Sequence, residues 1–508
     1  MAIEPEFASF ARIYETGAPQ AVHASLPGDL ETAVSLFLKL GDGRDNSFLL
    51  ESIQGGDSRG RYSIIGIKPD LIWRCRSGKA EINRDGLANA ESFEPVDDPP
   101  LNSLRNLVSA SRMALPPHLP PMAVGLFGYL GYDMVRLIER LGDPLPDLLG
   151  LPDAVLIRPT VIAIFDNVRD EITIVTPAWP QAKIDAHTAY ARACERLNET
   201  LGAIRQARPE SSVELSDTSP AAVESNTSKA EYLAMVERAK EYIRAGDIFQ
   251  VVPSQRFRRR FTLPPFSLYR ALRRLNPSPF LYYLAFPGFS IVGSSPEILV
   301  RLRDGVVTIR PIAGTRRRDR DAAEDAALAD ELINDPKERA EHLMLLDLGR
   351  NDVGRVAKVG SVKVTGSFFI ERYSHVMHLV SNVQGAIRPD LDAVDALAAG
   401  LPAGTLSGAP KIRAMQIIDE LEKEKRGAVY AGAVGYFAAD GSMDTCIVLR
   451  TALIKDGTMY VQAGGGVVAD SVPEAEFQES VNKAKALFAA ADEAAAFAKG
   501  AGETGAVA

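Results

Sequence analysis

The chain has 508 residues, of which 46% are hydrophobic, so it can bury a large core in two or three domain-sized units. Its formal net charge of −9 disfavours nucleic acid as the main partner, because nucleic-acid binding needs clustered positive charge. Three widely separated cysteines disfavour a disulfide framework or a zinc ribbon. With no secretory signal and no apolar stretch of bilayer length, the sequence predicts a cytoplasmic protein without a membrane role.

The first predicted unit comprises residues 1–204 and mixes strands with helices. Strand-like runs occur at 47–53 and 61–67, and glycine mixed with aromatic residues at 123–132 indicates close backbone packing. This unit shows no cluster of chemically useful side chains. Residues 205–227 are rich in Ser, Pro and Glu, which predicts a linker or a long surface loop.

The second predicted unit spans residues 228–495. Ser228 and Glu231 form a capping-box pattern, and apolar positions at helical spacing follow until Gly246. Beyond this helix, long helices are interspersed with strand-like runs at 281–286, 298–302, 431–437, 446–454 and 459–462. This order favours an α+β fold over a doubly wound parallel sheet. Residues 496–508 are expected to form a disordered tail.

A first pair of carboxylates opens a predicted helix in the second unit. Asp335 as N-cap and Pro336 in the first turn predict the helix start, so capping alone explains Glu338 at the third position. Glu341 lies one turn later, on a predicted helix face whose other residues are apolar, and capping does not explain an acid there.

A second pair opens the last predicted helix. Ser471 and Glu474 are predicted to form its capping box. Capping therefore does not explain Glu476 and Glu479, which share one face of the helix with Lys483. Either pair alone would most simply be solvated. Together, without a nearby cluster of His or Cys, they predict a Mg²⁺ site that takes an anionic substrate.

Other polar residues are open to two readings. The glycine run at 462–467 leads towards the last helix and could bind a carboxylate through its N–H groups, or it is only a tight turn. Arg450, expected at the end of a strand, could bind a second carboxylate or form a structural salt bridge. His375 and His378 should face opposite sides of a strand, so at most one of them faces a given site.

Together these segments resemble the chorismate-utilising enzymes, and most closely the family of anthranilate synthase large subunits (component I). The resemblance runs from Leu49 to about Leu487. Its strongest pieces are 276–280 (NPSPF), 293–297 (GSSPE), 311–316 (PIAGTR), 341–352 (EHLMLLDLGRND), 401–410 (LPAGTLSGAP), 444–450 (DTCIVLR) and 476–479 (EFQE). The fold it implies is a β-sandwich-like core of large sheets with helices packed outside.

The resemblance also implies the residues of the site. Glu341 and Glu479 would be the direct magnesium ligands, and Glu338 and Glu476 would either hold those ligands in place or bind the ion through water. Glu297 matches the family's general acid, and His378 matches the histidine linked to pyruvate elimination, whereas His375 is taken as structural. The substrate contacts implied are Gly314, Thr315, Thr405, Tyr430, Arg450, Gly464, Gly465, Gly466 and Lys483.

Within the family, two positions predict which reaction occurs. Relatives that add water to chorismate carry a lysine where this chain has Gln250, and the relative that makes 4-amino-4-deoxychorismate carries a lysine where it has Ala313. An amine needs no base to be nucleophilic. The implied activity, a lyase reaction, converts chorismate and ammonia to anthranilate and pyruvate through 2-amino-2-deoxyisochorismate, the first step of tryptophan biosynthesis. The alternatives are aminodeoxychorismate, isochorismate or salicylate synthesis, or an inactive sensor, which the intact acids disfavour.

The resemblance also implies a partner and a regulator. No glutaminase segment is recognisable, so ammonia is expected from a separate glutaminase subunit, in a heterotetramer of two large and two small subunits. Tryptophan is the implied feedback inhibitor. Its implied site comprises Glu51, Ser52, Asn276, Pro279, Phe280, Leu281, Tyr436 and Cys446.

Overall fold

The computed structural model describes residues 2–54, 58–207, 222–373, 376–427 and 429–504. The first half contains helices α1 (Phe7–Tyr14), α2 (Ala33–Leu40), α3 (Pro100–Ala110) and α4 (Ala186–Arg205). Its strands are β1 (Gln20–Pro27), β2 (Ser47–Gln54), β3 (Ser58–Arg76), β4 (Lys79–Asn83), β5 (Glu94–Pro95), β6 (Gly125–Leu130), β7 (Ala154–Asp166), β8 (Glu171–Ala178) and β9 (Glu224–Ser225).

The second half contains helices α5 (Lys229–Arg244), α6 (Pro265–Leu275), α7 (Ala322–Asn334), α8 (Pro336–Val356), α9 (Ala393–Gly400), α10 (Lys411–Leu421) and α11 (Pro473–Thr504). Its strands are β10 (Gln250–Val251), β11 (Ser254–Arg260), β12 (Phe280–Phe286), β13 (Phe289–Ser295), β14 (Ile298–Arg303), β15 (Val306–Ile309), β16 (Ile312–Arg317), β17 (Lys363–Arg372), β18 (Val376–Ala386), β19 (Gly408–Ala409), β20 (Ala433–Ala438), β21 (Met443–Ile447), β22 (Thr451–Lys455) and β23 (Thr458–Gly464). Short 3₁₀ helices occupy Pro121–Ala123, Tyr132–Leu137 and Gly404–Leu406.

Within the described residues, strands from both halves join one network of 21 hydrogen-bonded strands, and β10 and β19 form a separate pair. Antiparallel pairing of β2 with β12 and of β6 with β20 connects the halves. Helices pack outside the strands, as the α+β prediction requires. The predicted boundary at 205–227 stays a prediction about sequence segments, because residues 208–221 lie outside the described residues.

Aromatic and aliphatic side chains fill the space between the sheets and under the helices. Phe48 stacks on Phe127 with ring centroids 4.6 Å apart in the core that joins the two halves. Every residue of β6 is buried, and a Cβ at Gly128 would lie 2.0 Å from the carbonyl oxygen of Val155. The glycine among these aromatic residues therefore lets two strands approach closely.

Several local predictions hold and others are wrong. The capping box of Ser228 and Glu231 is confirmed, and α5 ends just before Gly246. The run at 446–454 is not one strand, because β21 ends at Ile447 and β22 begins at Thr451. Residues 496–504 continue α11 instead of forming a disordered tail, since alanine-rich sequence propagates a helix that is already nucleated. Among the described residues, no helix combines the length and apolar character that a membrane span requires.

Candidate active site

A cavity of about 770 Å³ lies between β16, β18 and α11. We call it the first cavity. Its lining includes five of the predicted catalytic, substrate and metal residues: Thr315, His378, Arg450, Glu479 and Lys483. Most of these residues are far apart in sequence, so the fold brings these five together from separate elements.

The N-terminus of α8 carries the first carboxylate pair. Asp335 caps this helix by accepting hydrogen bonds from the backbone N–H groups of Lys337 and Glu338, as predicted. Glu338 is also paired with Arg316, whose Nη1 lies 3.3 Å from its Oε1. Burial, and then the negative charges of Glu338 and Glu479, raise the pKa of Glu341. Glu341 therefore lies in a negative field that a cation would relieve.

The second pair lies on the first turns of α11. The hydroxyl of Ser471 donates to Oε1 of Glu476 at 2.8 Å, whereas Glu474 pairs with Lys229. The predicted capping box of Ser471 and Glu474 is therefore wrong, because the serine hydroxyl bonds to a glutamate five residues on and Glu474 pairs with a lysine of α5 instead. Glu479 forms an ion pair with Lys483 at 2.7 Å.

One carboxylate oxygen of Glu476 makes the site at the starts of α8 and α11 suitable for a cation. Its Oε2 is buried and has no hydrogen-bond partner among the described residues. A Cβ at Gly465 would lie 2.7 Å from this oxygen, so the glycine keeps the space beside it open. A buried carboxylate oxygen without a donor is costly unless a cation or water satisfies it, so the carboxylates fit a hard divalent ion. No three of the four glutamates bring ligand atoms within 4.8 Å of one another in the described chain, which suits partly water-mediated binding.

Glu297 is a buried acid at the start of β14. It is 6% exposed, and its carboxylate oxygens lie 3.4 Å from the backbone nitrogen of Ile312 and 3.4 Å from the hydroxyl of Thr405. Burial raises the pKa of Glu297 to about 8, against the opposing effects of these two donors and of Arg450. The side chain is therefore largely protonated at neutral pH and can donate a proton.

His378 faces the first cavity from β18. Its Nδ1 lies 3.0 Å from the carbonyl oxygen of Gly314 and 3.1 Å from the hydroxyl of Thr315. The carbonyl can only accept, so Nδ1 carries the proton and Nε2 keeps its lone pair. Nε2 is buried and has no partner in the described part of the chain, and burial lowers the pKa of His378 to about 4. The neutral ring can accept a proton from a ligand. His375 lies outside the described residues.

Arg450 lies in the connection between β21 and β22, not at the end of a strand as predicted. Its φ of 47° is in the left-handed region, which a residue with a Cβ rarely adopts. Burial lowers the pKa of Arg450, and Glu297 is the one group that opposes this shift. No described carboxylate lies within 4.0 Å of its guanidinium, so the structural salt bridge is not found and the group is free to bind an anion.

The glycine run follows β23 and continues towards α11. Lys483 Nζ donates to the carbonyl of Gly464 at 2.9 Å, and a Cβ at Gly464 would lie 2.3 Å from the carbonyl oxygen of Pro253. A Cβ at Gly466 would lie 2.4 Å from Nε2 of Gln250, whose Oε1 is buried without a partner in the described chain. Nearby Tyr430 is buried, which raises its pKa to about 12. The run thus lets the backbone approach Gln250 closely.

A second cavity of about 730 Å³ contains most of the predicted tryptophan residues. Its lining includes Glu51, Ser52, Phe280, Leu281, Tyr436 and Cys446. Asn276 and Pro279 instead line the first cavity. The eight residues therefore divide between two cavities, and the segment 276–281 separates them.

Charged residues that sequence reasoning missed also line the second cavity. Asp444 and Arg301 form an ion pair at 2.9 Å, and Arg61 pairs with Asp166 at 3.0 Å. In the sequence these residues look like the ordinary alternation of polar and apolar side chains along a strand. Only the pairing of distant strands could have identified them as lining residues of one cavity. Glu51 is itself committed to Arg273, whose Nη2 lies 3.0 Å from its Oε1.

Comparison with known proteins shows the family to which the chain belongs. Residues 46–489 match the family of chorismate binding enzymes, so the chain belongs to that family. It is 58% identical to "Anthranilate synthase component 1" of Cereibacter sphaeroides over 496 residues, which cover 98% of this chain and 99% of that protein.

Solved structures support the same fold. The crystal structure of anthranilate synthase component I from Streptococcus pneumoniae TIGR4 matches with a TM-score of 0.75 and 40% identity, covering 84% of this chain and 92% of that one. The menaquinone-specific isochorismate synthase of Escherichia coli matches with a TM-score of 0.69 and 19% identity over 96% of this chain and 100% of that one, and shows the fold alone.

Proposed function

We propose that this chain is the large subunit of an anthranilate synthase, a lyase that converts chorismate and ammonia to anthranilate and pyruvate. The observation that carries the choice of reaction is Gln250, a buried neutral side chain against Gly466 where water-adding relatives have a lysine. Ammonia needs no base to attack, whereas water does. Ala313, buried in β16, likewise offers no nucleophile.

Substrate binding follows from the charges of the first cavity. Arg450 is free to bind one carboxylate of chorismate, and the backbone N–H groups of the 464–466 run can bind the other. We assign Mg²⁺ to Glu341 and Glu479, with Glu338 and Glu476 supporting them. When bound, the ion would neutralise the ring carboxylate of the substrate and the surrounding acids.

Glu297 and His378 then divide the proton transfers. Glu297 is protonated at neutral pH and can donate a proton to the C4 hydroxyl, which leaves as water when ammonia adds at C2. His378 is neutral, with its Nε2 lone pair directed away from the Gly314 carbonyl, so it can accept a proton during pyruvate elimination. Burial thus gives the acid and the base the opposite protonation states that the reaction requires.

Ammonia is proposed to come from a separate glutaminase subunit, and tryptophan to inhibit by binding in the second cavity. The curated relatives are named as component 1, which implies a second component. The second cavity offers an aromatic and apolar wall, from Phe280, Leu281 and Tyr436, beside charged groups, which suits an amino acid with an indole ring.

The test is a product assay. Protein mixed with Mg²⁺, chorismate and ammonium should yield anthranilate fluorescence and an equal amount of pyruvate. Addition of the glutaminase partner should allow glutamine to replace ammonium, and tryptophan should suppress the reaction. Accumulation of isochorismate or of the 4-amino isomer would refute the proposed reaction.

A further inference from the structure

Three side chains that commonly bind transition metals, Glu4, His23 and His118, meet near the N-terminus. Glu4 and His23 form an isolated antiparallel bridge, in which each backbone N–H donates to the other residue's carbonyl, at 2.9 and 2.7 Å. His118 approaches from the segment that follows α3. Its Nε2 lies 2.9 Å from Nε2 of His23, and Oε2 of Glu4 lies 3.6 Å from the same atom of His23.

We propose that Glu4, His23 and His118 form a binding site for a divalent transition metal such as Zn²⁺, Co²⁺ or Ni²⁺. Two imidazole nitrogens and one carboxylate oxygen are a ligand set that these ions favour over Mg²⁺. Ligand atoms about 2.0–2.2 Å from a tetrahedral ion lie roughly 3.3–3.5 Å apart, and the separations of 2.9 and 3.6 Å bracket this range. Within the described residues, this is the one group of three such side chains whose ligand atoms all lie within 4.8 Å of one another.

The backbone holds the three ligands before any ion binds. The bridge fixes Glu4 against His23, and His23 lies on β1, 4% exposed. His118 follows Pro116 and Pro117 in a turn closed by the N–H of Leu119 and the carbonyl of Pro116, at 3.0 Å. Prolines restrict the backbone of this turn, so little conformational entropy is lost on binding.

The hydrogen bond between His23 and His118 uses the same two nitrogen atoms that would bind the ion. In the apo protein one of the two facing Nε2 atoms must carry a proton for their hydrogen bond. Binding would replace that bond with two nitrogen–metal bonds and release the proton or move it to the other ring nitrogen.

Access is open from a cavity of about 860 Å³ that Glu4, His23 and His118 all line. Glu4 and His118 are exposed, so water can supply the remaining coordination position. His118 also lines the second cavity. A bound ion would therefore tie the N-terminal segment to the wall of that cavity.

The test uses the full-length protein without a histidine tag, stripped with a chelator and kept in excess Mg²⁺ to fill hard carboxylate sites. Co²⁺ is titrated while visible absorption and heat are recorded. We expect one equivalent per chain with the intense d–d bands of a low-coordinate nitrogen and oxygen site. His118→Ala should abolish these bands, and Glu4→Gln should weaken affinity on the order of tenfold or more. His187→Ala, which removes an exposed histidine at an edge contact with Phe7, should bind as wild type.

A second measurement is the melting temperature with Zn²⁺, which should rise for the wild type and His187→Ala but not for His118→Ala. Co²⁺ spectra unchanged by His118→Ala and Glu4→Gln would overturn the proposal, as would a wild-type protein that gives no d–d bands. If His118→Ala does not fold, the exposed Glu4→Gln variant decides between these outcomes.

Discussion

The buried acid Glu297 gives a prediction that can be measured without turnover. An ordinary glutamate has a pKa of 4.5, and burial raises that of Glu297 to about 8. Because the folded state holds this proton more tightly, its contribution to stability is fully present below pH 4.5 and is lost as the pH rises to about 8. At 1.36 kcal/mol for each pH unit, the loss amounts to about 5 kcal/mol as an upper bound.

Glu297→Gln removes this titration while preserving the shape of the side chain and its ability to accept from the Ile312 N–H. We therefore expect the free energy of unfolding of the variant, relative to wild type, to rise by several kcal/mol between about pH 5 and 8 and then to level off. Reversible urea unfolding at a series of pH values measures this difference. The pH dependence of the free energy of unfolding is more informative than that of the reaction rate. The ammonia–ammonium equilibrium also changes the rate with pH.

A matched control is Glu474→Gln, which neutralises an exposed glutamate in an exposed ion pair with Lys229. Its stability difference from wild type should stay within about 0.5 kcal/mol throughout. A Glu297→Gln difference that stays constant from about pH 5 to 8 would show that Glu297 is not held neutral by the fold. The assignment of this residue as the acid would then be wrong.

Three further predictions concern the proposed metal ligands, the proposed base and the proposed inhibitor site. Glu341→Gln or Glu479→Gln should abolish Mg²⁺-dependent turnover, with the fold intact by circular dichroism. Glu474→Gln should retain turnover. Full activity of both Glu341→Gln and Glu479→Gln would refute the metal assignment. His378→Asn should lower kcat by about 10²- to 10⁴-fold while chorismate still binds, as measured by calorimetry, and an unchanged kcat would contradict its role as base. Ser52→Phe should fill part of the second cavity and desensitise the enzyme to tryptophan, and a variant still fully inhibited would count against that site.

Local chemistry was predictable from sequence, and tertiary competition was not. Asp335 caps α8 as its sequence neighbours predict, because an N-cap depends on residues within one turn. Ser471 has the same local pattern with Glu474, yet Glu474 pairs with the distant Lys229 of α5 and the serine hydroxyl bonds to Glu476. Arg450 ends in a left-handed conformation that no propensity predicts, since only the surrounding fold can hold it there.

The assignment of residues to cavities had a similar limit. Resemblance supplied the members of both sites, and the fold places seven of them in the lining of the first cavity and six in that of the second. The sequence could not predict that Asn276 and Pro279 face one cavity while Phe280 and Leu281 face the other. That division falls where the chain enters β12 at Phe280, and the pairing of this strand with β2 and β13 comes from distant parts of the sequence.

The segment 276–281, which has one cavity on each side, has a thermodynamic consequence. A ligand in the second cavity that shifts this shared wall changes the free energy of binding in the first. The coupling is symmetrical by linkage. If tryptophan binds in the second cavity as proposed and weakens chorismate binding, chorismate weakens tryptophan binding by the same factor. A factor of 100 would correspond to a coupling free energy of about 2.7 kcal/mol. That free energy would be the difference between the conformations of these six residues that the two ligands favour.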